Sequence, residues 1–475
     1  VKNSLFSKIF SSGLQAIAVQ VLGGVFFILI LLFLSKEESG AIAWANSVAL
    51  VIVMALSFGM DQVVVRRIAA SDRSDWAAPA YFFHLLVLNS ITLLLLSSAV
   101  WLLGDKTMSG FRILPWMFLV QGLLFTAGPL KFYFNAKQQF KPYAIIATIS
   151  NLIKLIIGIW LIKTHAFTSW TAMLVLIACA IFELVTLLSY VIFTSQFSFK
   201  VRWAAYTKLV KESLPQYIAV LFDSSLARAD MILIGIICTN VVTAEYGLAY
   251  RAYEIAKLPL TVISPILLAR FARLFVLNTK AEKATVSSIK HLIAVEGYFS
   301  MLIPLVLNLL WAPVLDQLFD KKFGSVNATE FMLLSICIPI HFYINILWTL
   351  AFSSRKYKQV SAIIGFTAIA NILLNLALIP LFSGIGAAIA FVITCIAQLI
   401  GYHRLVKRNI ADVPIISIII FTIIAVAAYL AATNVTSVIW LQIIIAFVVY
   451  TLLSFISKQI SISNFKLTAD FVKSK

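Results

Sequence analysis

Charged side chains are scarce in this chain: 12% of its 475 residues are Asp, Glu, Lys or Arg, against 62% hydrophobic. A water-soluble domain exposes too much surface to be built from such a composition. A polytopic membrane protein, whose outer faces are solvated by lipid, is not limited in that way. Acidic residues are scarcer than basic ones, 19 against 37, leaving a formal charge of +18. The cations lie in short turns between apolar runs and form no long basic domain, which excludes nucleic acid as the partner. Cysteine is nearly absent. Cys179, Cys238, Cys337 and Cys395 lie in or beside apolar stretches without CxxC spacing, so they read as small hydrophobes. His84 and His341 stand alone in apolar spans without metal-ligand spacing and read as hydrogen-bonded packing residues. Long loops are missing too; the longest outer one, around 316–330, leaves no room for an extramembrane catalytic domain. No catalytic residue, metal or cofactor is expected.

What the chain has in abundance is apolar runs of spanning length. A helix needs roughly 17–25 residues to cross a bilayer, whereas barrel strands are about 10 residues long with alternating polarity. The runs fall at 12–34, 41–65, 77–103, 113–134, 143–162, 168–193, 214–238, 243–269, 291–315, 330–353, 359–380, 384–403, 413–432 and 435–456. They predict an all-α integral membrane protein with about fourteen transmembrane helices. The first run follows Lys2 and Lys8, lacks a small-residue cleavage site and exceeds a signal-peptide core, so it is taken as a span. With the N-terminus in the cytoplasm, 27 Lys and Arg fall on the inside and six on the outside. This positive-inside bias supports an even number of spans with both termini cytoplasmic. The short basic C-terminal tail is expected at the anionic inner leaflet or as a disordered end.

The chain also repeats. Glu38-Ser-Gly-Ala recurs as Glu245-Tyr-Gly-Leu, and one offset of 207 carries Gly40 to Gly247 and Arg66 to Arg273. Lys141 matches Lys358 at an offset of 217. Two six-span lobes, 1–199 and 200–406, are expected, with 407–475 supplying an additional two-helix segment and the basic tail. Because six is even, the lobes enter the membrane in the same sense and should enclose a central cavity about an axis along its normal.

The sequence is organised around the charges of the second lobe. Asp223, Arg228, Asp230, Arg251, Glu254 and Lys257 occupy two consecutive spans at depths where lipid should be. Such residues are costly and usually face a bundle interior, a water-filled cavity or a substrate path. Arg228 is five residues from Asp223 and cannot stack on it as an i,i+4 partner would. Gly247, Arg251, Glu254 and Lys257 or Leu258 form one helical stripe, in which Glu254 can offset Arg251 or Lys257. A phosphate or diphosphate would suit Arg251, Lys257 and Arg228, since arginine offers a planar fork and lysine a point charge. Asp223, Asp230 and Glu254 are candidates for charge balance or for binding a coupling proton or sodium ion. Glu296 is a shallower acid near the inner end of its span.

In the first lobe, Lys154 and Glu183 are expected to pair, and Asp61 to snorkel or cap near the inner boundary. The alternative for the second-lobe group is an interhelical salt-bridge network. Pro259 and Pro265 are candidate hinges, with Pro129 and Pro304 similar. Gly384-Ile-Gly-Ala-Ala-Ile-Ala suits close helix packing, and Asn151, Asn371 and Asn375 are suited to hydrogen bonds between helices.

LARADMILIGII followed by EYGLAYRAYEIAKLPLTVISPILLARFARL resembles the seventh and eighth spans of bacterial polysaccharide flippases of the multidrug/oligosaccharidyl-lipid/polysaccharide (MOP) exporter superfamily. NILLNLALIPLFSGIGAAIAFVIT resembles their eleventh and twelfth spans. The resemblance implies a MATE-like fold and alternating-access movement of an undecaprenyl-diphosphate-linked O-antigen repeat unit to the periplasmic leaflet of a bacterial inner membrane. On the reading of the charges above, Arg228, Arg251, Lys257 and Lys154 are the cations expected to receive the head group, with Glu183 among the charge-balancing acids. An O-antigen polymerase and a chain-length regulator are the implied partners. The first span has only Gln15 and Gln20 as strongly polar side chains. Neither the first-span carboxylate of drug exporters nor the first-span arginines of peptidoglycan-precursor flippases carry over. A proton- or sodium-coupled multidrug exporter is the alternative, and an integral-membrane glycan polymerase or ligase a third reading.

Overall fold

Apolar helices account for the architecture of the computed structural model, which describes residues 19–70, 76–103, 109–137, 139, 141–194, 203–274 and 283–473. No strand occurs among the described residues. The helices are α1 (Val19–Phe33), α2 (Lys36–Leu56), α3 (Met60–Ala70), α4 (Ala77–Leu103), α5 (Ser109–Thr126), α6 (Gly128–Ala136), α7 (Lys141–Lys163), α8 (Ser169–Thr194) and α9 (Trp203–Ile237). There follow α10 (Asn240–Ala256), α11 (Pro259–Leu274), α12 (Lys283–Leu318), α13 (Ala328–Ser353), α14 (Tyr357–Asn409), α15 (Ile416–Val435), α16 (Ile439–Ile456) and α17 (Ile462–Lys473).

By length and composition, ten segments among the described residues are fit to cross a membrane, and α10 with α11 makes an eleventh as a bent pair. The expected fourteen are not reproduced by that criterion, for physical reasons. α1 is short in its described part. α9, although 35 residues long, carries Lys208, Lys211, Glu212, Asp223, Arg228 and Asp230. α14 runs for 53 residues, about 80 Å at 1.5 Å per residue, far more than a bilayer core of about 30 Å.

α14 is in fact two arms folded back at Ser383, where φ is 51° and ψ is −131°. Asn371 Nδ2 reaches Thr394 Oγ1 across the arms at 3.4 Å. A Cβ on Gly386 would lie 2.2 Å from the carbonyl oxygen of Leu378, and one on Gly401 would lie 3.2 Å from Ile363 Cγ2. These paired positions fix an antiparallel hairpin with almost no connecting loop. Gly386 is there because no side chain fits between the arms, so the small-residue run does serve close packing.

The chain divides into two compact units, Val1–Gly247 and Leu248–Lys475. This division describes packing, whereas the 199/200 boundary describes sequence correspondence. In the first unit, Phe26, Ile30, Trp44, Ala49, Phe118 and Met173 form one core, and Val64, Tyr81, Leu130, Tyr133 and Leu187 another. Trp44 lies against Gly235, where a Cβ would come within 2.0 Å of its ring, and its indole N–H donates to the Ile232 carbonyl at 3.1 Å. The start of α2 is pressed against the start of α10: a Cβ on Gly40 would be 1.8 Å from the Asn240 carbonyl oxygen. In the second unit, Tyr298, Leu305, Phe421, Ala428 and Tyr450 join α12, α15 and α16. Trp101, Ile156, Trp160, Phe193, Ile423 and Ile444 remain exposed as large apolar side chains, the outer surface expected of helices facing lipid.

Arg67 of α3 meets Glu212 of α9, ahead of the apolar part of that helix, through two hydrogen bonds, one of them Nε to Oε2 at 2.9 Å. The hydrogen bond from Arg67 holds the Glu212 carboxyl below its ordinary range, helped by the charges of Arg67, Lys208 and Arg66. A lowered carboxyl value means that this contribution to stability is present above the unfolded value of about 4.3 and is lost as pH falls through the lowered one. E212Q should therefore flatten the acid side of a pH–unfolding profile while changing its neutral plateau little, as a partly exposed pair is worth about 0–1 kcal/mol.

Candidate functional site

The intramembrane charges fall into two groups, one in each unit. In the second unit, α10 carries Arg251 and Glu254 toward its C-terminal end, and Lys257 is the first residue of the turn that follows. Arg251 Nη1 meets Glu254 Oε2 at 3.2 Å, with the side chains 30% and 22% exposed. The pairing expected three residues apart is present. Arg251 Nε is buried and has no hydrogen-bond partner among the described residues, so its guanidinium retains a donor edge. Lys257 Nζ lies over the Tyr253 ring, 4.1 Å from its centroid. Tyr253 is itself fully buried. Its hydroxyl contacts His341 Nδ1 at 3.0 Å, and its ring meets Phe391 at a centroid distance of 5.3 Å. His341 also contacts the Cys337 carbonyl at 2.9 Å, which makes it the packing residue expected. The stripe thus stands on a fixed aromatic base that limits where Lys257 can go.

The helix breaks directly after this stripe. α10 ends at Ala256 and α11 begins at Pro259, with a bend of 42° between them. Proline suits a first helical position because its missing N–H has no intrahelical partner there anyway. Pro259 therefore lies at the bend as a helix start, where an internal kink of span eight was expected; Pro265 lies inside α11. Lys257 N–H donates to the Glu254 carbonyl at 3.2 Å, Leu258 to Ile255 at 3.0 Å, and Leu260 to Lys257 at 2.9 Å. The turn stays hydrogen-bonded in the tighter i,i+3 pattern, which a backbone at membrane depth requires.

In the first unit, Asp230 is buried and accepts a hydrogen bond from the Tyr246 hydroxyl at 2.8 Å. Arg228 is half-buried on the same helix. The side chain of Asp223 lies outside the described residues. Lys36, just before the repeated Glu38–Gly40 segment, bridges to Glu245 at 2.5 Å.

The expected Lys154–Glu183 pair is corrected by the contacts found. Glu183, buried on α8, takes Lys131 Nζ at 2.5 Å. Lys154 Nζ meets Asn151 Oδ1 at 3.0 Å and lies 5.9 Å from the centroid of the Phe26 ring. Polarity alone assigns Lys131 to an inner loop. Its helix, α6, continues the span of α5 past Ala127, and Lys131 on it reaches Glu183 of α8. Among the asparagines, Asn151 donates to Ala147 and Asn375 to Asn371, while Asn371 crosses to Thr394. Asp61 lies in the first turn of α3 and accepts from the Tyr81 hydroxyl at 2.5 Å. His84 is a hydrogen-bonded packing residue, held by Tyr206 and the Leu56 carbonyl, each at 2.8 Å. Glu296, expected near the inner end of its span, is buried, with no hydrogen-bond partner for either carboxylate oxygen among the described residues.

A family model described as polysaccharide biosynthesis protein matches residues 5–274, more than half of the chain. The chain belongs to that family. The matched segment includes α1 to α11, and with them every charge assigned to the head group or to its balance. No curated protein matches the chain by sequence. Among solved structures, the lipid II flippase MurJ in an inward closed conformation is similar with a TM-score of 0.73 at 15% identity, covering 94% of this chain and 99% of its own. The eukaryotic MATE transporter AtDTX14 follows at 0.63 and 15% identity, covering 85% and 95%. An inward-facing multidrug resistance MATE family transporter of the MOP superfamily gives 0.59 at 12% identity, covering 84% and 95%. The family member described here therefore has the fold of the MOP superfamily and is a multi-pass membrane protein.

Proposed function

We propose that this family member flips undecaprenyl-diphosphate-linked O-antigen or oligosaccharide repeat units from the cytoplasmic to the periplasmic leaflet of a bacterial inner membrane. Alternating access is the mechanism, with both termini cytoplasmic. The observation that carries this reading is the state of Arg251. Its Nη1 is balanced by Glu254 while its buried Nε has no hydrogen-bond partner among the described residues, less than two turns from Lys257 and from the break in the span. A guanidinium edge on one stripe with an ammonium group matches a diphosphate, whose oxygens accept forked and point-charge contacts together. Arg228 and Lys154 are further head-group cations in the first unit. Asp223, Asp230, Glu254 and Glu183 keep the empty path from being strongly repulsive, and a proton or sodium ion exchanging on the acids would couple the cycle. The bend at Pro259 supplies the moving element, with Pro265 behind it. An O-antigen polymerase and a chain-length regulator would receive the delivered repeat unit.

Deleting the gene and analysing lipid-linked glycans tests the proposal. Repeat units should accumulate on the cytoplasmic face and surface polysaccharide should be lost. Unchanged delivery in a strain with no second flippase refutes it. If delivery is unaffected and organic-cation efflux falls instead, the chain works as a cation-coupled multidrug exporter.

A further inference from the structure

The last helix of the chain sits on the half of span eight that follows the bend. α17 packs against both α12 and α11, and all three belong to the second unit. It is anchored at its beginning. Lys458 takes a left-handed backbone, φ 57°, at the end of α16, and the N–H groups of Gln459 and Ile460 return to the Ser454 carbonyl at 3.1 and 3.3 Å. Ile460 is buried in the core that joins α12, α15 and α16. Further along, the Phe465 ring meets Phe299 of α12 at a centroid distance of 6.0 Å and Tyr298 at 6.3 Å. Beyond Phe465 the seat is poor. Thr468 borders a cavity of about 360 Å³ whose walls, from α11, α12 and α13, are apolar apart from Glu296 and Ser300. The Thr468 hydroxyl oxygen is buried and has no hydrogen-bond partner among the described residues. A hydroxyl held in that way has lost its water without replacing it, and a helix over a void forfeits the dispersion contacts of a filled one. The cavity starts at Pro259, at the bend, and runs beside Ile263 and Leu267. It is the room into which α11 can swing. On the outside of α17, Ile462, Lys466 and Leu467 are exposed, as is Lys458 just ahead of it.

We propose that α17 is a strap that restrains α11, and that anionic phospholipid at the membrane surface draws it off. Seated as it is here, α17 bridges α11 and α12, keeps the space between them at one width and opposes a swing at the Pro259 bend. Two opposing terms set its hold. The aromatic contacts of Phe465 fasten it, while the stranded Thr468 hydroxyl and the void beneath loosen it. A helix serving only as a brace gains nothing from such a defect. A strap does, because a state that is only just favoured is shifted by a ligand of modest differential affinity. Off its seat, the Thr468 hydroxyl returns to water. Ile462 and Leu467 enter the boundary between head groups and acyl chains, and Lys458 and Lys466 meet lipid phosphates. A zwitterionic bilayer offers only the apolar part of that exchange; an anionic one offers both parts. The inference concerns the motion of α11 and holds whatever the cargo.

Amide hydrogen exchange of the full chain in lipid nanodiscs, read over residues 259–268 of α11, tests this without any cargo. In discs of phosphatidylcholine alone, F465A removes the aromatic hold and should speed exchange of α11 at least about threefold. T468V keeps the shape of the side chain and removes the stranded hydroxyl, so it should slow exchange by a similar factor, roughly threefold. Adding phosphatidylglycerol should speed exchange of α11 in the wild-type chain several-fold. K466Q should blunt that response, and F465A, already released, should show little of it. α15, which does not border the cavity, serves as the internal control and should not change. T468V and the lipid comparison decide the matter even where F465A does not fold. Three results overturn the proposal: α11 exchange alike in wild type, F465A and T468V; changes in α11 matched by equal changes in α15, which make α17 a general brace; or no response of the wild-type chain to phosphatidylglycerol.

Discussion

Replacing Arg251 with alanine should leave the protein inserted at wild-type levels and cut periplasmic delivery of lipid-linked repeat units by roughly thirty-fold or more. That factor corresponds to about 2 kcal/mol, the low end for truncating one member of a buried charge contact at a binding surface. The substitution removes both the Glu254 contact and the guanidinium edge, whose Nε has no partner among the described residues. Two companions separate these roles. R251K keeps the charge but loses the fork, and should recover only part of the transport. E254Q removes the intrahelical partner without touching the cation, and should impair delivery less than R251A does, because only a share of the charge balance is lost and an i,i+3 pair contributes little to stability. Quantifying surface polysaccharide in a strain lacking other flippases decides the matter. Normal polymer in R251A would remove Arg251 from the transport path. Loss in E254Q equal to that in R251A would mean that the pair acts as a structural clasp.

The second large effect concerns the α14 hairpin. G386V should destabilise the protein by about 3 kcal/mol or more, the upper part of the range for overpacking a close contact. The atom in the way is a backbone oxygen: a Cβ at Gly386 falls 2.2 Å from the Leu378 carbonyl. A side chain can rotate aside, but Leu378 O belongs to a helix whose partner arm is already tied through Asn371 and Thr394. G401A supplies the comparison from the same hairpin. Its Cβ would meet the Ile363 methyl at 3.2 Å, and that flexible end can yield, so a loss below about 1 kcal/mol is expected. Unfolding of the purified variants in detergent, followed by circular dichroism, measures both. Equal midpoints for G386V and wild type would show that the arms do not need their close approach.

Much of this architecture is legible in the sequence because lipid simplifies the problem. Long apolar runs must be helices, and polar breaks must be turns. The Arg251–Glu254 contact is readable for a related reason, since both residues lie on one helix and their separation fixes their geometry. Contacts between helices are another matter. Lys131 is placed at an inner boundary by its polarity, yet on α6 it meets Glu183 of α8. That choice depends on where α6 packs, which no single-span pattern records. The place of Glu296 along its span is readable, but its burial is set by the surrounding helices, and α11, α13 and α15 close around it. Pro259 is read as a kink within one span because proline at a helix start and proline inside a helix leave the same mark in sequence. The fold back at Ser383 is signalled by the run from Pro380 to Gly386, although nothing local shows that the arms would touch without a loop.

The continuous i,i+3 bonding through Lys257, Leu258 and Leu260 has a consequence for how span eight can move. Straightening it would exchange tighter backbone bonds for ordinary helical ones, with few peptide groups stranded along the way. In the proposed transport cycle, such an elbow would bend without calling on water to satisfy its backbone.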